Sequence, residues 1–233
     1  MAKQSLYHRL ARHNIPVDHV AEVGVYHPKT SNVYEFIVRG IRATLVEPDP
    51  EAVALIQKEF RRFKNVTLHP VALYDHKGEA RLIPKASSSF LNFLETTPAM
   101  VNDGFSPDDT VGIPVKTVTF DEIDDGQIDV LSIDVEGAEW FVLKHATSRP
   151  KVISVETHGG MYVNPYLEEI LDWMRQNGYT VWYKTDSDTV FVKEGTVRVS
   201  LLDRLKLLFK EMGLFLKRHR KRLKHRLKTL WAQ

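Results

Sequence analysis

The sequence predicts an α/β fold, namely a doubly wound, mostly parallel, Rossmann-like sheet with an antiparallel C-terminal hairpin. Three apolar segments that end in carboxylates favour this fold; they cover residues 19–25, 43–49 and 129–139. Strand and helix signals alternate between them, as in parallel sheets with helices on both faces. Ligands of such sheets bind at the carboxyl ends of the strands, so the acids predict a nucleoside-cofactor site.

Apolar runs between turn signals define the predicted elements in chain order. Strands are expected over 18–25, 41–47, 66–71, 79–84, 113–119, 128–134 and 151–157, with a closing hairpin of 179–184 and 189–193. Helices are expected over 31–38, 50–63, 138–146 and 164–177. Residues 85–110 are rich in Ser, Thr, Pro and Asp, so we expect a loop with little regular structure there.

Local signals set the helix ends. Ser31 or Thr30 is the expected N-cap of the first helix. Pro50 suits the first turn of the second helix. Asn164-Pro165 is expected to cap the last helix of the sheet domain, and Gly178 to end it.

Composition excludes several kinds of site. The 233-residue chain has no cysteine, so it has no disulfide, no thiolate metal site and no cysteine nucleophile. We find no apolar segment near the N-terminus that would suit a signal peptide, and no apolar run long enough to span a bilayer. We therefore expect a cytoplasmic protein.

The C-terminal tail differs in charge from the rest of the chain. Residues 200–233 hold 11 Lys or Arg and 2 Asp or Glu, a net charge of +9, while residues 1–199 carry 21 basic and 28 acidic residues, a net charge of −7. Apolar residues recur in the tail at helical spacing. We expect a Rossmann-like domain over 1–199 and a basic amphipathic helix over 200–233.

Three roles for this tail stay open at the sequence level. It could lie on an anionic membrane, which would make the protein peripheral on the inner face of that membrane. It could pack on the acidic domain or pair with a second copy in a homo-oligomer. It could also bind nucleic acid through its charge, although the pattern favours this role least.

The cofactor prediction rests on Glu22-x-Gly24 and on Glu47, which follow the first two strands. An acid at the end of the second strand binds ribose hydroxyls in nucleoside-cofactor folds. The glycine-rich G-x-G-x-x-G turn that admits a pyrophosphate is missing, because no glycine follows Gly24 in the sequence Val25-Tyr26-His27-Pro28-Lys29. The residues therefore favour S-adenosylmethionine over NAD. A helix-capping role for Glu47 is the alternative.

The chain resembles the FkbM family of methyltransferases over roughly residues 18–193. The most characteristic stretch is Ile133-Asp134-Val135-Glu136-Gly137-Ala138-Glu139. The weaker stretches are Glu22-Val23-Gly24, Val46-Glu47-Pro48, Val71-Ala72-Leu73-Tyr74-Asp75 with Gly78-Glu79-Ala80, Ser87-Ser88-Ser89-Phe90-Leu91 and 115–123. The first motif departs from the family's usual D-x-G-A-N-x-G, because its second glycine is absent.

The resemblance implies S-adenosylmethionine-dependent O-methylation, often of a sugar or a glycosylated product. We therefore predict that the acceptor is a hydroxyl of a saccharide or glycoconjugate. The predicted cofactor-binding residues are Glu22, Gly24, Tyr26, Ser31, Glu47, Pro48, Ala72 and Asp134.

Methyl transfer to a hydroxyl requires a base within hydrogen-bond reach of that hydroxyl. We predict His158 for this role, with Asp134 and Glu136 on the acceptor side; a hydrogen-bonded loop histidine is the alternative for His158. A divalent cation could bind at Asp134, Glu136, Glu156 and His158, but no spacing motif requires one, so no metal ligand is assigned. Glu139 is expected to be structural, at the start of a helix.

Residues of the 85–110 loop are expected to lie over the same rim of the sheet. Ser87, Ser88 and Ser89 are candidates for contacts with cofactor or acceptor. The aromatic rings in this loop, Phe90, Phe93 and Phe105, are candidates for shielding the site from water.

Two other functions remain open at this stage. The first is a nucleic-acid methyltransferase recruited by the basic tail; covalent cytosine methylation is excluded because it needs a cysteine nucleophile. The second is a non-catalytic fold that binds a cofactor or partner, which the altered first motif suggests.

Overall fold

The computed structural model describes residues 5–85, 88–106 and 112–231, with side chains described up to residue 221. Its helices are α1 (Leu6–Arg12), α2 (Tyr34–Ile37), α3 (Pro50–Phe60), α4 (Pro98–Asp103), α5 (Glu139–Leu143), α6 (Leu167–Gln176) and α7 (Leu201–Trp231). Its strands are β1 (His19–Val23), β2 (Arg42–Val46), β3 (Val66–His69), β4 (Ala72–Leu73), β5 (Gly78–Ile83), β6 (Phe90–Leu91), β7 (Ile113–Val118), β8 (Val130–Ile133), β9 (Val152–Glu156), β10 (Tyr179–Lys184) and β11 (Asp188–Lys193).

The main sheet has seven strands in the order β10-β11-β9-β8-β1-β2-β3. The pairs β1/β2, β2/β3, β1/β8 and β8/β9 are parallel, while β11 is antiparallel to both β9 and β10. The mostly parallel α/β sheet is thus as predicted, and the hairpin forms its antiparallel edge.

Both faces of this sheet are covered, because its central strands are apolar on both sides. On β8, Val130 belongs to one core cluster and Leu131 to the other. The cluster with Leu131 contains buried residues of α5 and α6, and the cluster with Val130 contains buried residues of α1, α2 and α3. This arrangement leaves the carboxyl ends of β1, β2 and β8 together at one rim.

A second sheet was not predicted. Strands β5 and β7, which the sequence predicted without assigning them to a sheet, pair antiparallel in a four-stranded sheet of order β4-β7-β5-β6. Within the segment 85–110, expected to be irregular, β6 pairs with β5, and Thr97 caps α4 through its hydroxyl. The structure therefore corrects the expectation of an irregular loop, and β4 and β6 lie beside the rim.

Helix ends also differ from the prediction. The N-cap position of α6 is Tyr166 and not Asn164-Pro165, and it has no side-chain cap. Neither Ser31 nor Thr30 is an N-cap, since α2 begins after Val33 and has no side-chain cap; the Ser31 hydroxyl donates to Glu22 instead. Helix α1 was missed, although Ser5 caps it by accepting the N–H of His8 at 3.4 Å.

The C-terminal helix α7 lies against β10. Leu214 is buried, Lys210 pairs with Asp186 at 2.6 Å, and Lys184 pairs with Glu211 at 2.9 Å. Among the described residues, none of the helices combines the length and the apolar character needed to cross a bilayer. The independence of residues 1–199 from the tail stays a prediction.

Gly24 joins the ends of three strands. Its N–H donates to the Val46 carbonyl at 2.9 Å, and the N–H of Asp134 donates to the Val23 carbonyl at 2.9 Å. A Cβ atom on Gly24 would lie 1.8 Å from the Asp134 carbonyl oxygen, and φ of Gly24 is +82°. The glycine is thus required by the contact between β1 and β8, as well as by its place in the cofactor motif.

We predict that Gly24→Ala lowers the free energy of unfolding by roughly 3 kcal/mol or more, because backbone strain and a steric clash add. The matched control is Gly40→Ala: φ of Gly40 is +86° and no atom lies within 4 Å of the added Cβ. The control should lose only about 1–2 kcal/mol. Urea denaturation measures both changes, and equal losses would contradict the role of the close contact.

Candidate functional site

A cavity of about 190 Å³ opens at the rim formed by the carboxyl ends of β1, β2 and β8. Strands β4 and β6 of the small sheet contribute its other wall. The structure brings all eight residues predicted to bind the cofactor to this cavity: Glu22, Gly24, Tyr26, Ser31, Glu47, Pro48, Ala72 and Asp134. Their contact with a cofactor stays a prediction.

Glu22 lies near the end of β1, where it lines one side of the cavity, and its side chain is buried. Its carboxylate accepts a hydrogen bond from the Ser31 hydroxyl, and another from the Asn32 N–H at 2.9 Å. Burial raises the pKa of Glu22 to about 7, against the opposing effect of these donors. The carboxylate therefore fixes the segment after the first turn, and it can gain further stabilisation from a cationic ligand group.

Glu47 lies at the end of β2, across the cavity, and holds the turn that follows β1. Its Oε2 accepts the N–H groups of Val25 and Tyr26 at 3.0 and 2.9 Å, and its Oε1 accepts the N–H of Asp49 at 2.9 Å. A carboxylate has about four acceptor positions, so capacity for a further donor remains. Burial raises the pKa of Glu47.

The cap of helix α3 is Asp49 and not Glu47. Asp49 Oδ1 accepts the N–H groups of Glu51 and Ala52 at 2.8 and 3.4 Å. The alternative in which Glu47 is an ordinary helix cap is therefore not what the structure shows.

Three carboxylates cluster after β8 and β9. One oxygen each of Asp134, Glu136 and Glu156 lies within 4.8 Å of the others. Asp134 and Glu136 line the cavity, where Asp134 is open to solvent, while Glu136 and Glu156 are each 8% exposed. Burial, and then the charge of Asp134, raises the pKa of Glu136 and Glu156.

Glu139 is structural, as the sequence predicted. Its Oε1 accepts the N–H groups of Val135 and Gly137 at 3.0 and 3.1 Å, and its Oε2 accepts from Asn164 Nδ2 at 2.6 Å. These bonds shape the loop that carries Asp134 and Glu136.

His158 is not among the residues that line the cavity, and its role as the base stays a prediction. The backbone N–H of His158 donates to the carbonyl of Ser187 at 3.0 Å, and Ser187 lies in the turn between β10 and β11. The ring is buried, with Nδ1 2.8 Å from the Thr157 hydroxyl and Nε2 3.4 Å from the Thr185 carbonyl. Burial, and then the charge of Lys184, lowers the pKa of His158 to about 4. In the structure His158 is a hydrogen-bonded loop histidine, which is the alternative that the sequence left open.

The 85–110 loop meets the cavity only in part. Ser89 and Phe90 line it, and the Ser88 hydroxyl bonds to Glu136. Phe93 packs on Tyr74 instead, with ring centroids 4.2 Å apart. Phe105 packs against Phe90, and Ser87 lies outside the described residues.

Tyr162 was missed by sequence reasoning. Its side chain is fully buried, and its hydroxyl has no hydrogen-bond partner within the described part of the chain. Burial, together with the charges of Glu139 and Glu156, raises the pKa of Tyr162. No motif surrounds this position, so only the folded chain reveals that its hydroxyl lies beside the acidic cluster.

Several solved structures are similar to this chain at low identity. Precorrin-6y C5,15-methyltransferase from Geobacter metallireducens is 13% identical, with a TM-score of 0.40 over 82% of this chain and 88% of that one. A SAM-dependent methyltransferase from Aquifex aeolicus is 11% identical, with a TM-score of 0.39 over 79% and 85%. Aeropyrum pernix fibrillarin with bound S-adenosyl-L-methionine is 9% identical, with a TM-score of 0.40 over 76% and 66%. At this similarity none of them informs the activity.

A search of curated proteins gave no match. The model of the methyltransferase FkbM domain, in contrast, matches residues 18–181, which is more than half of the chain and includes every residue of the cavity described above. The resemblance predicted from the sequence motifs is thereby confirmed. The protein belongs to the FkbM family of methyltransferases.

Proposed function

We propose that the protein binds S-adenosylmethionine in this cavity and transfers its methyl group to a hydroxyl of a saccharide or glycoconjugate. The observation that carries the proposal is the pair of buried carboxylates, Glu22 and Glu47, on one cavity at the ends of β1 and β2. Family membership supports the reaction type.

The cavity residues fit this cofactor better than a dinucleotide. The Val25 and Tyr26 N–H groups, in the turn where a dinucleotide fold binds pyrophosphate, are bonded to Glu47. Glu22 can pair with the ammonium of the methionine part, and Glu47 can accept from ribose hydroxyls. Pro48 and Ala72 supply apolar walls for a base.

Methyl transfer to a hydroxyl requires a group that accepts the hydroxyl proton, and the carboxylates on the acceptor side of the cavity can do this. In methyl transfer the acceptor oxygen bonds to the methyl carbon, the carbon–sulfur bond breaks, and its electron pair stays on sulfur. The hydroxyl proton must leave, and Asp134 and Glu136 are the cavity carboxylates that can orient that hydroxyl and accept the proton. Asp134 is open to solvent on the cavity wall, so an acceptor can reach it.

The charge of the rim favours a neutral acceptor. Asp134, Glu136 and Glu156 stand together, and no Lys, Arg or His in the part of the chain that the structure describes forms an ion pair with them. Phosphate groups of RNA or DNA would meet like charge there. Carboxylates are good acceptors for the many hydroxyls of a sugar, which supports a saccharide acceptor.

We predict that Glu47→Ala weakens binding of S-adenosylhomocysteine by roughly 2–3 kcal/mol, because charge-assisted hydrogen bonds to the ribose are lost. Isothermal titration calorimetry measures the change. Glu51→Ala, which removes an exposed acid just beyond the cavity, is the control and should bind normally. Circular dichroism checks that both variants are folded; normal binding by folded Glu47→Ala would contradict the assignment.

We predict that Asp134→Asn lowers turnover roughly 100-fold, because an amide cannot accept the proton, and that it lowers the affinity for S-adenosylhomocysteine by a much smaller factor. The assay follows methyl-labelled S-adenosylmethionine offered together with saccharides, glycolipids, RNA and DNA. Label should appear in a carbohydrate fraction. Label in RNA or DNA would contradict the acceptor class, and failure of the wild type to bind S-adenosylhomocysteine would contradict the function as a whole.

A further inference from the structure

We propose that Asp134, Glu136 and Glu156 form a divalent-cation site beside the cofactor cavity. Asp134 and Glu156 follow paired positions of neighbouring parallel strands, since Ile133 of β8 is in register with Val155 of β9. Their carboxyl groups contact each other, and Glu136 reaches the same point from the following loop. The three acids therefore converge because of the sheet register.

Several polar atoms of this cluster lack a hydrogen-bond partner. Among the residues that the structure describes, none hydrogen-bonds to Glu136 Oε2, Glu156 Oε2 or the Tyr162 hydroxyl, all of which are buried. Glu136 and Glu156 are 8% exposed, and Tyr162 is 0% exposed. A buried oxygen without a donor costs free energy, so these oxygens indicate a missing positive partner.

The other buried acids of the rim differ from this cluster. Glu22 and Glu47 each receive at least two hydrogen bonds, and Glu139 receives three, two of them from backbone N–H groups. The fold thus supplies donors to carboxylates that shape loops. Glu136 and Glu156 receive fewer hydrogen bonds from the fold, which is typical of carboxylates whose partner is a ligand.

The spacing suits a hard cation. Metal–oxygen bonds of Mg²⁺, Mn²⁺ and Ca²⁺ are about 2.0–2.6 Å long, so oxygens that share one ion lie within about 4–5 Å of each other. The three carboxylate oxygens meet this condition at 4.8 Å or less. The Tyr162 hydroxyl can hydrogen-bond to a ligating carboxylate, and His158 is not part of the set.

A cation here would act on the acceptor, and this part rests on the proposed function. Asp134 lies on the cavity wall, so an ion at the cluster would be within reach of an acceptor in the cavity. Binding of a hydroxyl to such an ion would lower the pKa of that hydroxyl, as metals do for water. As the acceptor oxygen bonds to the methyl carbon and the carbon–sulfur bond breaks, the hydroxyl proton would pass to the Asp134 carboxylate oxygen that does not bind the ion.

Mn²⁺ binding to the full-length protein, freed of metal with EDTA, tests the site by electron paramagnetic resonance of free Mn²⁺. The wild type should bind one tight Mn²⁺, and Glu156→Gln should weaken binding about tenfold or more. Glu95→Gln, at an exposed acid outside the cluster, is the matched control and should bind like the wild type.

A stability measurement guards against unfolding of the variant. In EDTA, Glu156→Gln should melt no lower than the wild type, since Gln keeps the size of the buried side chain and carries no charge that could repel Asp134 and Glu136. Added Mn²⁺ should raise Tm of the wild type and of Glu95→Gln only. No Mn²⁺ binding, or equal binding by Glu156→Gln, would overturn the site, whereas binding of S-adenosylhomocysteine without metal would leave the cofactor assignment intact.

A second, independent observation concerns helix α7, for which we infer an anionic membrane as the binding partner. The side of α7 opposite Leu214 carries large apolar residues that are 50–79% exposed: Leu201, Leu202, Leu205, Leu208, Phe209, Met212, Phe215 and Leu216. We call these residues the apolar stripe. Exposed apolar surface of this extent marks a contact site.

The cationic side chains beside the apolar stripe indicate that its partner is anionic. Arg204 lies beside one edge of the stripe, and Lys206 and Lys217 lie beside the other, as helical geometry at 100° per residue places them. Two copies of the helix would bring these cations together, whereas anionic headgroups would neutralise them while acyl chains cover the stripe. The stripe residues 201–216 extend about 24 Å along the surface.

Sedimentation of the full-length protein with vesicles tests this inference. Binding is expected to phosphatidylcholine vesicles that contain phosphatidylglycerol, and weaker binding to pure phosphatidylcholine. At about 1 M salt, where the Debye length is about 3 Å, binding should fall. Leu205→Glu should reduce binding, whereas Leu55→Glu, the same change at an exposed residue of α3, should not.

Three outcomes would overturn the membrane inference. They are equal sedimentation with and without vesicles, unchanged binding by Leu205→Glu, and a dimer that Leu205→Glu dissociates in the absence of any vesicle binding. Analytical ultracentrifugation detects the dimer.

Discussion

The close contact between Gly24 and the carbonyl of Asp134 is the interaction on which the site depends. It allows β1 and β8 to lie close together at the ends that carry their carboxylates. The Gly24 N–H also bonds the end of β1 to the end of β2. Glu22, Glu47 and Asp134 consequently face one cavity, although each comes from a different strand. A larger residue at position 24 would separate these strand ends, and with them the groups that bind and react.

Buried negative charge is the second constraint. Each carboxylate removed from water must receive hydrogen bonds or a cation. Glu47 and Glu139 satisfy this requirement by accepting backbone N–H groups, and in doing so they hold the loops around the cavity. Glu136 and Glu156 each leave an oxygen unpaired, so the same physical rule that explains the structural acids points to a ligand at the remaining ones.

The sequence predicts what depends on local pattern. Glu22, Glu47 and Asp134 could be found because an apolar strand that ends in an acid is visible in the chain, and parallel strands share a rim. The small sheet could not be predicted, because β5 pairs with β7 across some thirty residues of polar sequence. The surroundings of His158 could not be predicted for a similar reason, since its N–H donates to Ser187, which is distant in sequence. The exposed side of α7 also depends on which face packs on β10, and amphipathic spacing does not specify that face.

A crystal structure with S-adenosylhomocysteine tests the central claim most directly, since it shows where the ligand binds. The account predicts that the ribose hydroxyls lie within hydrogen-bond distance of Glu47, that the ammonium lies near Glu22, and that sulfur faces Asp134. A ligand bound elsewhere, or bound with its ribose away from Glu47, would contradict the account.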